Sequence, residues 1–151
     1  MLCALLIGRG YTRYINKRIS EGDGFIAFLN HAKEEIAMFL SPPARLCRGF
    51  FDESLDEIGF IDAIRSCGNL GDAFLQCAPR LSVGKEARDL LSECFRSFGQ
   101  GYKEQEVARI ERYSRGLEEI LERERRDLPQ NARMVSTLLL AGAAGIFIML
   151  L

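Results

Sequence analysis

The stretch GFIAFLNHAKEEIAMFL, residues 24–40, sets the fold class. Its apolar side chains Phe25, Phe28, Leu29, Ala32, Ile36, Phe39 and Leu40 recur at steps of three and four, which puts them on one face of an α-helix. Ser41-Pro42-Pro43 then stops the helix, because proline supplies no N–H donor and restricts the residue before it. The same periodicity continues outward. Ser54-Leu55-Asp56-Glu57 has the form of a capping box and opens a second helix with Leu55, Ile58, Ile61 and Ile64 inward, ended by Gly68-Asn69. A short third helix over about 70–78 carries Ala73, Phe74 and Cys77 and stops at Pro79. A fourth, over about 85–98, carries Ala87, Leu90, Leu91, Cys94, Phe95 and Phe98, with Gly99 as its C-cap.

The fifth helix, over about 102–128, is the longest, with Val107, Ile110, Leu117, Leu121 and Leu128 at helical spacing, interrupted by Ser114 and Glu124. Fifteen of its 26 residues from Lys103 to Leu128 are charged, the mark of a solvated helix face. Glu111–Arg115, Glu119–Arg123 and Glu122–Arg126 are i,i+4 pairs in the favourable orientation, each contributing only a few tenths of a kcal/mol. Pro129 is expected to break or kink the chain after it. Val, Ile and Thr together make up only 17 of 151 residues, and strands want β-branched side chains, so the composition agrees with an all-α fold. The short connections predict an antiparallel bundle of about five helices, and no repeat period suggests a solenoid.

Beyond the bundle, the apolar content is concentrated at one end. Residues 135–151, VSTLLLAGAAGIFIMLL, carry no charge, so all 41 charged residues fall within the first 134. As a helix this run is about 25 Å long and apolar all round, enough to cross a slightly thinned bilayer when Met134 is included. The sequence therefore divides into residues 1–8, the remnant of an N-terminal membrane segment, residues 9–133, a helical-bundle domain, and residues 134–151, a C-terminal transmembrane helix. Anchoring falls to Arg133 at the border and Val135, Leu138 and Leu151 within the lipid. Ala141 and Gly145 form a small-xxx-small pattern that lets another membrane helix approach closely. Arg123, Arg125, Arg126 and Arg133 precede the run and Arg9, Arg13, Lys17 and Arg18 follow the apolar Met1–Ile7, so the positive-inside rule keeps the bundle in the cytoplasm. The first apolar run, seven residues, is too short to span alone; it inserts shallowly or is what remains of a clipped helix.

Chemistry is sparse. The net charge of −1 argues against a nucleic-acid partner. The five cysteines at 3, 47, 67, 77 and 94 form no Cys-x-x-Cys; Cys67, Cys77 and Cys94 sit at apolar helix positions as small hydrophobes, consistent with a reduced cytosolic setting. His31, in HAKEE, lacks the zinc-site arrangement and is expected to face solvent. Glu34 and Glu35 are adjacent on a helix and do not face each other, a poor acid/base couple. Gly84-Lys85 lacks the rest of a phosphate loop, while Gly68-x-x-Gly71 and Gly99-x-Gly101 are helix-end turns. No catalytic, cofactor-binding or metal-ligating set emerges, and the expectation is a protein that is not an enzyme and works by contacts.

The Phe98-Gly99 turn, the charged helix over 103–127 and RMVSTLLLAGAAGIFIMLL over 133–151 resemble the stage III sporulation protein AB family. Upstream, Glu34-Glu35-Ile36 followed by Ser41-Pro42 is similar to that family's segment before its second helix. The resemblance implies a helical cytoplasmic domain like that of the type II secretion inner-membrane F protein. It also implies a membrane-anchored scaffold in a channel-like complex between mother cell and forespore, serving as platform for the complex's ATPase beside other membrane subunits. The family's N-terminal membrane helix is nearly absent here, and the linker over 8–24 is short. Alternative readings are an F-type secretion or pilus platform subunit and an unrelated tail-anchored adaptor. Self-association is left open.

Overall fold

The computed structural model describes residues 2–39 and 43–149, with side chains described at residue 10 and over 13–38 and 45–127. Its elements are α1 (Leu2–Phe39), α2 (Pro43–Leu46), α3 (Glu53–Glu57), α4 (Phe60–Cys67), α5 (Leu70–Cys77), a 3-10 turn (Ala78–Arg80), α6 (Lys85–Arg96) and α7 (Lys103–Met149). Among the described residues there is no strand. The all-α expectation holds, but the five expected helices resolve into two long ones with short helices packed along them.

α1 and α7 make the most extensive contact in the molecule, and they run antiparallel. Arg18 pairs with Glu124, and the Ser114 hydroxyl donates to Asn30 Oδ1 at 3.4 Å, so residue numbers rise on one helix as they fall on the other. The two interruptions in the apolar stripe of the charged helix, Ser114 and Glu124, are therefore among its polar contacts to α1. α7 closes the core with Ile110, Leu117, Ile120 and Leu121, of which the apolar spacing had left out Ile120.

The core centres on five phenylalanines supplied by four helices. Phe25 of α1 lies 5.1 Å from Phe60, 5.9 Å from Phe74 and 6.0 Å from Phe95, ring centre to ring centre. Phe28 meets Phe60 edge-on at 5.4 Å. All five are essentially without solvent contact. Burial of each such ring stabilises by roughly 1.5–3 kcal/mol, and edge-on pairs add about 0.5–1.5 kcal/mol. Leu55, Ile58, Ile61 and Ile64 line the same core, as their spacing predicts.

Several expectations need correction. The first helix does not begin near Gly24: helical backbone runs from Leu2 through the supposed linker over 8–24 to Phe39. Gly22 and Gly24 do not break it, because each gives room for a close approach, to Leu121 and to Asp52 and Leu55 respectively. The expected second helix is two. Asp52, not Ser54, is the cap, its carboxylate accepting from Leu55 N at 3.0 Å, and Gly59 at φ +75° turns the chain between α3 and α4. Helical backbone also continues past Pro129, where one lost backbone donor does not end a helix of 47 residues. His31 does not face open solvent; its ring lies 5.4 Å from that of Phe50, and its Nε2 is buried without a partner. Cys67 is exposed instead of packed, its thiol donating to Gln76 Oε1 at 3.3 Å, because α4 ends there and turns away at Gly68.

Among the described residues no helix is long and apolar enough to cross a membrane. The expected span over 134–151 lies outside the residues whose side chains are described. So do the expected anchoring positions Arg133, Val135, Leu138 and Leu151 and the packing positions Ala141 and Gly145.

Candidate functional site

The densest grouping of charged and buried polar side chains lies where α1, α6 and α7 converge near residues 17–23 and 121–126. Arg18 Nη2 is 2.5 Å from Glu124 Oε1, and Arg125 Nη2 donates to both Asp23 oxygens at 2.5 and 2.6 Å. Arg123 reaches across to Glu86 of α6 at 3.2 Å, and Lys17 reaches Glu57 of α3 at 3.0 Å. The hydrogen bond from Lys17 raises that ammonium's pKa, the bonded charged form being the favoured one. Of the expected intrahelical pairs, Glu111–Arg115 forms at 2.7 Å and Glu122–Arg126 at 3.9 Å, whereas Arg123 is the residue that turns to Glu86. The Arg115 contact holds the Glu111 carboxyl below its usual range. These links tie both long helices to the short ones; individually, exposed pairs of this kind contribute about 0–1 kcal/mol.

Beneath them sits Glu21, fully buried, whose Oε2 accepts from Ser82 N at 2.6 Å and Val83 N at 3.3 Å. The bond pins the loop between α5 and α6 onto α1. Sequence reasoning missed Glu21, and the only local signal is its place beside Gly22 and Gly24, a bracket of glycines marking close helix approach. Gly84-Lys85 is the start of α6, with Gly84 at its N-cap and lying under the Arg18–Glu124 pair.

At the other end of α7, the turn over 97–102 is stapled just as tightly. Glu106, nearly fully buried, accepts from Gly99 N at 3.0 Å, and Arg109 donates to the Ser97 carbonyl. The C-cap of α6 is Ser97, not the expected Gly99, which instead supplies the φ of +79° that the following turn needs.

Burial pushes the Cys47 and Cys77 thiols up and the Cys94 thiol up to about 12, with the Glu106 carboxylate adding to the effect at Cys94. Thiols held protonated in this way are poor nucleophiles. Among the described residues no group of three or more His, Cys, Asp or Glu side chains is placed to hold a metal ion. A cavity of 230 Å³ between α4 and α5 is lined by Asp62, Ser66, Gln76, Cys77 and Arg80. Asp62 there is engaged by Arg65 at 3.3 Å. Glu34 and Glu35 share no site with it.

No curated protein and no solved structure matches the chain. A family model does, over residues 65–151, from the end of α4 through α5, α6 and α7. The match takes in the Phe98-Gly99 turn and the charged helix, while Glu34-Glu35-Ile36 lies upstream of it. The model, spanning more than half of the chain, is that of stage III sporulation protein AB, and the chain belongs to that family.

Proposed function

We propose that, within the sporulation role its family membership gives it, this chain is a non-enzymatic membrane-anchored scaffold. Its helical bundle stays on the cytoplasmic, mother-cell side of the membrane and serves as platform for the ATPase of a secretion-like sporulation complex, beside other membrane subunits. The observation that carries this reading is the register of the two long helices. With Arg18 at Glu124 and Asn30 at Ser114, the N-terminal run of α1 and the C-terminal run of α7 leave the bundle at the same end. In sequence each run is apolar and bordered on the bundle side by basic residues, Arg13, Lys17 and Arg18 on one and Arg123, Arg125 and Arg126 on the other. A bundle with both apolar runs leaving one end suits one face of a bilayer, and the basic borders suit the cytoplasmic face. The stapled turn before α7 then belongs to the end farthest from the lipid, within reach of a soluble partner.

The test is co-expression of the full-length chain with the ATPase of the same sporulation complex, followed by membrane isolation and detergent co-purification. Co-purification in fixed proportion supports the platform. A folded, membrane-bound chain that retains no ATPase, with or without the other membrane subunits present, overturns it.

A further inference from the structure

The loop Leu81–Gly84, between the 3-10 turn and α6, is fastened to three helices at once. Glu21 of α1 takes the Ser82 and Val83 amides, and Arg88 of α6 donates to the Leu81 carbonyl at 3.0 Å. The Arg18–Glu124 pair between α1 and α7 crosses above Gly84, where a Cβ would stand 2.6 Å from Glu124 Oε1. Leu81 and Val83 are buried beneath.

This closed arrangement is satisfied only in part. Glu21 has no solvent contact, its Oε1 has no hydrogen-bond partner, and Lys17, a cation that feels its charge, is bonded to Glu57 instead. Arg18 Nε and Arg88 Nε are likewise buried without partners. A carboxylate removed from water and held by one oxygen loses hydration that two amide bonds and two buried apolar side chains only partly replace. Lifting the loop returns all three polar groups to water. The closed form is thereby favoured by less than a fully satisfied loop would be, and opening uncovers only the Leu81 and Val83 edge of the core.

We infer that Leu81–Gly84 is a strap that opens and closes over the α1–α7 seam with Glu21 as its latch. Its opening loosens α1 against α7 at the end where both helices leave the bundle. The strap belongs to the bundle itself, whichever partner the bundle serves.

Hydrogen exchange with mass spectrometry on the full-length chain in detergent tests this, comparing the wild type with Glu21→Gln and Gly84→Ala. Gln keeps the shape and loses the charge; Ala at 84 forces the Arg18–Glu124 pair aside and leaves Glu21 intact. In both variants the 81–84 amides should exchange about tenfold faster, the scale of one lost charge-assisted hydrogen bond. Segments 18–22 and 121–124 should follow, and α4 and α5 should hold. A uniform rise across all helices would make Glu21 a merely structural residue and overturn the strap. Unprotected 81–84 amides in the wild type would overturn it too, as would faster exchange at 81–84 with no response at 18–22 and 121–124. Should Glu21→Gln fail to fold, Gly84→Ala decides alone by the same readings.

Discussion

Gly22 of α1 lies against Leu121 of α7 so closely that a Cβ at residue 22 would stand 2.6 Å from both terminal carbons of Leu121. Leu121 is itself buried in the core, so its side chain yields only by disturbing its neighbours. Two effects compete when residue 22 gains a side chain. Alanine gains about 1 kcal/mol in helix propensity over glycine, and overpacking costs about 1–3 kcal/mol. Gly22→Ala should therefore lose about 0–2 kcal/mol, while Gly22→Val, branched at the point of contact and a poorer helix former, should lose about 2–3 kcal/mol. Leu121→Ala should relieve the valine, so the double variant loses less than the sum of the singles. Guanidinium unfolding of the four proteins measures all of these. Strict additivity would mean that the seam is not packed at this pair.

Phe95 and Phe51 set the range of what an aromatic residue contributes here. Phe95 has Phe74 at 5.3 Å, Phe60 at 5.4 Å and Phe25 at 6.0 Å, whereas Phe51 is 79% exposed. Phe95→Ala should cost about 3–5 kcal/mol, through lost burial plus the cavity left among the other rings. Phe51→Ala should change stability by no more than about 0.5 kcal/mol. Thermal and denaturant unfolding distinguish them, and a large loss at Phe51 would contradict its exposure.

Helical periodicity made the core legible, because an apolar side chain every third or fourth residue has one physical solution. Phe25, Phe28, Ile61, Ile64, Phe74, Leu91 and Phe95 all go where spacing sends them. Tertiary approach was not legible in the same way. Apart from the glycines that follow it, nothing local distinguishes Glu21 from the exposed carboxylates around it until the loop before α6 delivers the Ser82 and Val83 amides. Nor does HAKEE show that Phe50, from a separate loop, covers His31. Capping went wrong for a simpler reason: Asp52 and Ser54 are both good N-caps, and it is the Asp52 carboxylate that takes Leu55 N while the Ser54 hydroxyl is engaged with Ser20 of α1. The continuous α1 was hidden by Gly8, Gly10, Gly22 and Gly24, which read as a loop by composition. Two of them are instead contact points.

The thiols give a pH prediction. Burial raises the Cys94 pKa to about 12, well above the value of about 8.5 for a free thiol. The folded state thus holds a proton that the unfolded chain gives up first. The stabilising contribution is complete below the unfolded pKa and is lost as pH rises through the interval toward 12, at up to about 1.4 kcal/mol per pH unit. Cys94→Ala should flatten the stability curve in that interval. At neutral pH, alkylation read by mass spectrometry should mark the exposed Cys67 well ahead of Cys47, Cys77 and Cys94. Early labelling of Cys94 in folded protein would contradict its burial.

Membrane attachment is where sequence and fold can be tested together. Val135→Arg with Leu140→Arg places two charges in the uncharged run over 135–151. An arginine costs about 2.5–3.5 kcal/mol at mid-bilayer, and with Leu140→Arg only residues 141–151 remain uncharged, too short a run to span. If that run is the sole anchor, the double variant should appear in the soluble fraction after alkaline carbonate extraction. The antiparallel register of α1 and α7 adds a second possibility with its own signature. Because the N-terminal end of α1 and the C-terminal end of α7 lie at the same end of the bundle, the apolar start of the sequence can hold the protein to the same bilayer face. The double variant would then stay in the pellet and be released only when Leu5→Arg is added. Release by Leu5→Arg alone, with 135–151 intact, would remove the C-terminal run from the anchor and leave the N-terminal run to carry it.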